Sequence, residues 1–152
     1  MADLVCRWTG ASATAPTLWT DTTNWVDVAT GVAPVHSPGV GADQDSVWFD
    51  TALSNTANSP AGLVLGGAGA LRLFRVGPAY NGTIGSATTA VTLQTGTIKV
   101  EIEGTAAGAM YLTGAAANGI TLMDVTAARS GITIAGDVAT LRLWKGIVNF
   151  TA

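Results

Sequence analysis

Reactive side chains are scarce in this sequence. Its 152 residues include one cysteine, Cys6, and one histidine, His36. A single cysteine cannot form an internal disulfide bond, so a small fold held together by disulfides is excluded. One cysteine and one histidine also cannot supply a usual zinc ligand set. His36 lies in a Pro-rich loop with no recognisable nucleophile motif, so we predict no catalytic triad, and we interpret Cys6 as a small apolar residue.

Charge is also scarce, and this restricts the partners. Charged residues make up 11% of the chain, against about 25% in an average soluble protein. The seven basic residues are spread along a chain of net charge −3. Phosphate binding requires clustered Lys and Arg, so we expect no nucleic acid partner. No apolar run approaches the roughly 18 residues of a membrane span, and "MADLVCRW" lacks the apolar core of a signal peptide. We therefore expect no membrane partner.

Thr, Ala and Gly dominate the composition, and this favours short strands over helices. Thr and Val favour strands, whereas Gly interrupts both helices and strands. A helical bundle would need periodic runs of Leu, Glu and Lys. The sequence therefore predicts an all-β protein with many short strands and tight turns.

The chain divides in texture at about residue 62. Residues 1–62 hold four of the five Trp and four of the five Pro, and we interpret them as strands and capping loops. Residues 63–152 contain short apolar alternations separated by Gly, Asn or Ala, as in "TIKVEIEG" (97–104), where apolar and charged residues alternate. We expect the two parts to form a single structural domain.

Two weak internal repeats indicate stacked strands. The pattern Leu-Arg-Leu-aromatic-basic occurs at 71–75 and at 141–145, and "GITL" (119–122) is similar to "GITI" (131–134). Such repeats predict equivalent strands in different layers of a repeating structure. Short strands with small-residue corners favour a β-helix or solenoid, in which each coil pairs with the next about 4.8 Å away. A β-sandwich or jelly roll is the alternative.

Four tryptophans are concentrated in the N-terminal part: Trp8, Trp19, Trp25 and Trp48. The second and third flank the turn-forming residues "TDTTN", in which Asp21 and Asn24 are expected to bond backbone N–H groups. A solenoid exposes an unpaired edge and an open core at its ends. We therefore interpret the four rings as a cap over the first coil, with the polar turn facing water. The alternative is a sugar-binding platform, because exposed Trp rings stack on pyranose faces.

The order of motifs in this segment resembles that of some bacterial and phage β-helix proteins. The motifs are "WTG" (8–10), "WTDTTNW" (19–25) and "APVHSPGVGADQDSVWFD" (33–50), and autotransporter passenger repeats have a similar pattern. The stretch "VGPAYNGTIGSATTAVTL" (76–93) is similar to segments of small proteins encoded near the capsid genes of tailed phages. The resemblance covers residues 8–93. The short length and the absence of a secretion signal separate this chain from the passengers.

The phage resemblance implies a non-enzymatic capsid decoration, or cement, protein on the virion surface, bound to the major capsid protein and without a cofactor. We expect a homo-oligomer, with a trimer favoured, because a slender solenoid would expose large apolar faces. Trp144 and Phe150, within "LRLWKGIVNFTA" (141–152), are candidates for an inter-subunit or capsid contact. The alternative function is a carbohydrate-binding or adhesin module. A glycan hydrolase is a third, weaker interpretation because no acid/base pair can be named.

Carboxylates form the remaining candidate cluster. Asp43, Asp45 and Asp50 could form an oxygen-rich calcium loop, but the twelve-residue loop pattern is absent. We interpret them as loop side chains that accept turn amides. Glu101 and Glu103 share one strand face about 7 Å apart. A glycosidase pair flanks the scissile bond from opposite sides, so we interpret these two as a charged surface and predict neither a metal nor a catalytic site.

Overall fold

The computed structural model of the chain consists of strands. It describes residues 3–39, 44–50, 71–78, 80, 82–88, 90–93, 97–103, 108–114, 120–126 and 131–151. In these residues there is no α-helix and one 3₁₀ turn, Thr22–Asn24, and no helix among them could cross a membrane. The eleven described strands are β1 (Val5–Trp8), β2 (Trp25–Asp27), β3 (Ser46–Phe49), β4 (Leu73–Val76), β5 (Val91–Leu93), β6 (Thr97–Ile102), β7 (Met110–Gly114), β8 (Ile120–Val125), β9 (Ile132–Ala135), β10 (Val138–Leu143) and β11 (Val148–Thr151). The predicted all-β class is confirmed.

The strands form two sheets, one mixed and one parallel. The larger sheet has the order β10-β8-β6-β4-β3-β1-β2, and the smaller has the order β11-β9-β7-β5. Among the described strands only β1 and β2 pair antiparallel, and all other pairs are parallel. From β5 onward, consecutive strands alternate between the two sheets, so each strand supplies the crossover that a parallel pair requires. Sandwiches and jelly rolls are built from antiparallel pairs instead.

The register stacks apolar side chains in rows between the sheets. Two rows cross the larger sheet: Cys6, Val47, Phe74, Val100, Met123, Leu141; and Phe49, Val76, Ile102, Val125, Leu143. Two rows cross the smaller sheet: Ile84, Met110, Ile132, Val148; and Val91, Leu112, Ile134, Phe150. Every member is at least 99% buried except the four that belong to β10 and β11. Full burial of each such side chain stabilises the fold by about 1.5–3 kcal/mol.

The two sequence repeats have different outcomes. The first falls on β4 and β10, which are strands of the same sheet in different layers, as predicted, with β6 and β8 between them. The motif would align Leu71 with Leu141, but the register aligns Phe74 with Leu141 through β6 and β8. The second pair places Ile120 in the larger sheet and Ile132 in the smaller one. The second repeat therefore does not mark equivalent strands, and the first marks equivalent strands without giving their register.

The core does not divide at residue 62. Strand β3, before that residue, pairs in parallel with β4, after it. One cluster of buried apolar residues extends from Cys6 to Ile134. The N-terminal strands and the later strands therefore share one sheet and one core.

A close backbone approach after β9 requires glycine. Gly136 has a φ of +77°, and an added Cβ would collide with the carbonyl oxygen of Gly114. Gly114 directly follows Thr113, the residue that pairs with Ala135. The two glycines therefore lie side by side in adjacent strand ends, where neither has room for a side chain. Gly31 has a similar φ of +74° but nothing within 4 Å of its added Cβ.

We expect Gly136→Ala to destabilise the protein more than Gly31→Ala. The control substitution carries only the backbone cost of a positive φ, about 1–2 kcal/mol. The Gly136 substitution adds the collision, and we expect a total loss of about 3 kcal/mol or more. Urea denaturation followed by circular dichroism measures both free energies of unfolding. Equal losses would contradict the close packing of the two strand ends.

Candidate functional surfaces

Three of the four N-terminal tryptophans form an aromatic cluster in the core. Trp8, Trp19 and Trp25 are each at most 1% exposed. The Trp19 and Trp25 rings meet edge to face with centroids 4.6 Å apart, and Trp8 meets Trp25 in the same way at 4.9 Å. Trp19 also stacks on Phe74 at 6.4 Å, with Phe49 beside both rings. Edge-to-face pairs add about 0.5–1.5 kcal/mol each beyond area burial.

The polar residues between Trp19 and Trp25 fix the loop that carries the rings. Asn24 is fully buried and its amide donates to the carbonyl oxygens of Ala15 (2.7 Å) and Leu18 (2.8 Å). Its side-chain oxygen accepts from the backbone N–H of Ser12 at 2.9 Å. All three bonds tie the turn to the loop that precedes it. This role exceeds the expected one of bonding amides within the turn.

Asp21 has the role expected of it. Its carboxylate accepts from the backbone N–H (2.9 Å) and the hydroxyl of Thr23, and from the Ser12 hydroxyl at 2.7 Å. The hydrogen bond from the Thr23 hydroxyl, followed by that from Ser12, lowers the pKa of Asp21. The carboxylate thereby starts the 3₁₀ turn while the apolar rings on either side face inward.

The indole N–H groups fix the rings further. Trp19 Nε1 donates to the carbonyl oxygen of Pro38, and Trp25 Nε1 donates to that of Trp19, both at 2.8 Å. Each of these two buried indole N–H groups therefore has a hydrogen-bond acceptor, which a buried indole usually needs. Because a sugar must reach a ring face in order to stack on it, the buried rings Trp8, Trp19 and Trp25 offer no platform for a glycan.

Trp48 lies on the opposite face of the larger sheet from the aromatic cluster. Its neighbours Val47 and Phe49 point into the core, so strand alternation directs Trp48 outward. The guanidinium groups of Arg7 and Arg75, on the two flanking strands, lie 5.8 and 5.9 Å from its ring centroid. The expectation that Trp48 would complete the cap is therefore wrong. It forms cation–π contacts, each worth about 0.5–1 kcal/mol at an exposed site.

Ion pairs extend from Trp48 along the outer face of the larger sheet. Arg7 Nε donates to Asp50 Oδ2 at 2.8 Å, and Arg75 Nη2 lies 3.3 Å from Glu103 Oε2. Glu101 pairs with the Lys99 ammonium on the same strand. The two glutamates therefore belong to a charged surface, as the sequence indicated. Partly exposed pairs of this kind stabilise a protein by about 0–1 kcal/mol each.

A groove of about 140 Å³ opens beside Trp48. It is lined by Trp48, Phe49, Asp50, Arg75, Gly77 and Pro78. Trp48 Nε1 and Arg75 Nε are buried, and neither has a hydrogen-bond partner within the described part of the chain. Two unsatisfied donors favour a hydrogen-bond acceptor at this place, either water or a ligand oxygen.

The outer face of the smaller sheet has a different chemistry. Strands β5, β7, β9 and β11 contain no charged residue. We call their outward side chains the threonine face: Thr92, Tyr111, Thr113, Thr133, Ala135, Asn149 and Thr151. A shallow depression of about 210 Å³ runs along it. The molecule therefore presents one charged sheet face and one uncharged sheet face.

In the described segments His36 lies close to Asp45, and the Asp45 charge acts on the Cys6 thiol, but these groups do not form an activated nucleophile. His36 Nδ1 lies 3.7 Å from Asp45 Oδ2, and the buried Asp45 carboxylate accepts from the backbone N–H groups of Leu4 (2.9 Å) and Gly39 (3.0 Å). Burial, and then the Asp45 charge, raise the pKa of the Cys6 thiol to about 12. A reactive thiol needs a lowered pKa and access to solvent. Asp45 thus accepts from backbone amides, as expected, but these are Gly39, six residues away, and Leu4, 41 residues away, and not the amides of its own turn.

The calcium-loop alternative has no support in the residues that can be examined. Asp43 lies outside the described residues, and Asp50 is paired with Arg7. No group of three His, Cys, Asp or Glu side chains in the described segments could hold a metal ion.

The candidate interface residues Trp144 and Phe150 are exposed at one end of the molecule. Trp144 is 72% exposed and donates through Nε1 to Asp124 Oδ1 at 2.9 Å, and Phe150 is 57% exposed. The Asp124 hydrogen bond holds one edge of the indole against β8 and leaves the rest of the ring in solvent.

Comparisons with known proteins found no match to this chain among family models, curated proteins or solved structures. The functional proposal below therefore rests on the surfaces of the molecule itself.

We expect Trp19→Ala and Trp25→Ala each to lower the free energy of unfolding by about 3–5 kcal/mol, because each leaves a large cavity in the core. Trp48→Ala is the matched control on the same sheet, and we expect it to cost about 1–2 kcal/mol through lost cation–π contacts. Urea denaturation measures all three. A small loss for the two cluster residues would contradict their structural role.

The Cys6 thiol should make stability fall at high pH. Its pKa rises from 9.0 in the unfolded chain to about 12 in the folded one, so the folded state retains the proton longer. Its contribution is complete below pH 9 and is lost as pH rises toward 12, by up to about 1.4 kcal/mol per pH unit. Cys6→Ala should lack this part of the slope when both proteins are unfolded with urea from pH 8 to pH 11. Identical slopes would contradict the raised pKa.

Proposed function

We propose that the chain is wound as a β-solenoid with an aromatic cap and serves as a structural decoration, or cement, protein on the head of a tailed phage. The alternation of strands between two sheets and their parallel in-register pairing support the winding. The aromatic cluster and the antiparallel β2 support the cap, because β2 is the edge strand of the larger sheet and the buried rings pack beside it. The resemblance in residues 8–93 supports the phage setting.

The observation that carries the functional proposal is the threonine face. Four parallel strands without charge present a broad surface of hydroxyl and methyl groups. Such a surface costs less to desolvate than a charged one, because no ionised group has to leave water and its hydroxyl groups can form hydrogen bonds with a partner. It suits extended contact with another protein. The major capsid protein is the proposed partner and the capsid surface the proposed location.

The work of such a protein is mechanical. A packaged genome presses outward on the shell, and a protein that bridges neighbouring capsid subunits raises the free energy needed to separate them. Several weak contacts acting together give strong attachment. In this proposal the protein is not an enzyme and needs no cofactor. A trimer that occupies three-fold capsid positions stays part of the proposal.

A carbohydrate-binding or adhesin module is the second candidate, and the groove beside Trp48 favours it. An acceptor-rich ligand such as a sugar would satisfy the free N–H groups of Trp48 and Arg75. Stacking is less suited to this site, because Arg7 and Arg75 lie against the indole. A glycan would therefore bind through hydrogen bonds at the edge of the ring.

Co-sedimentation separates the two candidates. We expect the protein to pellet with expanded capsids built from the major capsid protein encoded near its gene, and not with polysaccharide beads. Thr113→Arg with Thr133→Arg should reduce capsid binding at least tenfold, because two buried charges would lack partners. Thr121→Arg, on an exposed site of the larger sheet, is the control and should bind normally.

The opposite pattern would favour the second candidate. Polysaccharide binding that is lost in Trp48→Ala, with no binding to capsids, would overturn the capsid proposal. Circular dichroism of each variant shows whether its fold is retained.

A further inference from the structure

The groove in the larger sheet lies where three neighbouring strands end. Asp50, Gly77 and Glu103 directly follow β3, β4 and β6 in the chain. The backbone ladder continues into these residues, because Gly77 N–H donates to the Phe49 carbonyl oxygen at 2.7 Å and Glu103 N–H donates to that of Val76 at 2.9 Å. An added Cβ on Gly77 would lie 3.3 Å from the Cβ of Asp50. The space beside Asp50 is therefore open because this position is a glycine.

The wall of the groove formed by Trp48 and Arg75 contains two hydrogen-bond donors. Trp48 Nε1 and Arg75 Nε are buried, and neither has an acceptor among the residues that the structure describes. The Glu101 carboxylate lies 3.9 Å from Arg75 Nε, which is too far for a hydrogen bond. Buried polar atoms in folded proteins nearly always have a partner. An acceptor that enters the groove would supply it.

Arg75 is held loosely enough to admit such an acceptor. Its Nη2 lies 3.5 and 3.3 Å from the two carboxylate oxygens of Glu103, whereas a charge-assisted hydrogen bond measures about 2.7–2.9 Å. Arg7, by contrast, lies 2.8 Å from Asp50. The two unpaired donors are covered, so an acceptor reaches them only when a side chain turns aside. Arg75 lies beside the indole, is 40% exposed and is the loosely held side chain there.

The charges around the groove favour an uncharged ligand. Three cations and three carboxylates face one another in pairs: Arg7 with Asp50, Arg75 with Glu103, and Lys99 with Glu101. A carboxylate or phosphate ligand would add a negative charge beside three carboxylates, and an ammonium ligand would add a positive charge beside three cations. A neutral polar group leaves every pair intact.

The groove has room for about one side chain. Its volume is about 140 Å³, whereas pockets for whole small molecules usually measure about 300–1,000 Å³. A group that enters so small a groove gains little affinity by itself. It suits a side chain carried by a larger partner, which makes its other contacts elsewhere.

We propose that the groove receives the carboxamide of a glutamine or asparagine side chain from a protein partner, and we call it the amide groove. A carboxamide has a carbonyl oxygen with two lone pairs and an NH₂ group with two N–H donors. The oxygen matches Trp48 Nε1 and Arg75 Nε. The NH₂ group matches the Asp50 carboxylate, which lines the groove. A backbone amide fits less well, because its C=O and N–H point in opposite directions.

This contact is separate from the proposed capsid contact. The amide groove belongs to the larger sheet, and the threonine face is the outer side of the smaller sheet. One core lies between the two sheets. A protein bound at one face therefore leaves the other accessible, and the amide groove can hold a partner whether or not the threonine face contacts a capsid.

Capped peptides that differ in one side chain test the inference. The probes are acetyl-Gly-Xaa-Gly-amide peptides in which Xaa is Gln, Glu or Ala. Two-dimensional nitrogen–proton NMR follows the indole N–H signal of Trp48, which is assigned from its loss in Trp48→Phe. We expect the Gln peptide to shift this signal with a dissociation constant of about 1–20 mM, the strength of a few hydrogen bonds. The Glu peptide should bind at least tenfold more weakly, and the Ala peptide should leave the signal in place.

Matched variants test the assignment of residues. Arg75→Lys keeps the charge but removes the guanidinium, so the Gln peptide should bind at least fivefold more weakly. Arg72→Lys is the control, because Arg72 is exposed and does not line the groove. Thr113→Arg with Thr133→Arg should also bind the peptide normally, so this inference and the capsid proposal can fail separately. Unchanged NMR signals elsewhere in each variant show that the fold is retained.

Five outcomes would overturn the inference. If the Gln peptide causes no shift up to about 100 mM, on the same scale, the groove holds only water. Equal shifts with the Gln and Ala peptides would mean that the peptide backbone is bound. Stronger binding of the Glu peptide would indicate an anion site. A shift caused by methyl glucoside and not by the Gln peptide would assign the groove to a sugar. Normal binding by Arg75→Lys would remove Arg75 from the contact.

Discussion

Parallel in-register pairing between strands that are distant in sequence is the constraint on which the rest of the molecule depends. Each parallel neighbour must be reached by a crossover, and the strands of the second sheet provide these crossovers from β5 onward. The pairing places apolar residues on apolar residues, row after row, and thus builds one core. It also brings strand ends so close that Gly114 and Gly136 have no room for a Cβ. The same pairing leaves an edge at each end of each sheet.

The apolar side chains near the first strands are covered, whereas those on the last two strands are exposed. At the N-terminal end, the loop between β1 and β2 folds back, and Asn24 fastens it so that Trp19 and Trp25 pack over Phe49. At the other end, core positions on β10 and β11 face solvent. The two ends therefore differ in the side chains that pack over them and not in strand pairing. The rows of apolar residues continue without interruption to Leu143 and Phe150.

The sequence predicted the features that depend on neighbouring residues, such as the strands and the buried rings. It did not predict the features that depend on which distant strands pair and in which register. Composition and alternation indicated the all-β class, and the polar turn between Trp19 and Trp25 indicated that the two rings turn inward and are buried. The motif shared by residues 71–75 and 141–145 marked two strands of the same sheet but missed their alignment by three positions, because long-range pairing and not the local motif selects the register. Trp48 was grouped with the other tryptophans by proximity, although its position between Val47 and Phe49 was the signal that it points outward. Nothing local distinguished the buried Asp45 from a solvated loop aspartate, because one of its two amide partners, Leu4, is 41 residues away in the sequence.

The distribution of charge distinguishes the two outer sheet faces. The larger sheet holds its charges in pairs along its outer face, which keeps that face in water, while the threonine face has no ionised group that would have to leave water in a contact. The hydroxyl groups of the threonine face still need hydrogen-bond partners when they are buried. A partner that covers this face must therefore supply donors and acceptors, and the specificity of such a contact would come from that pairing. Where several copies attach to one lattice, each bound copy that is linked to another raises the effective concentration of the next contact, so that weak contacts add up to strong attachment.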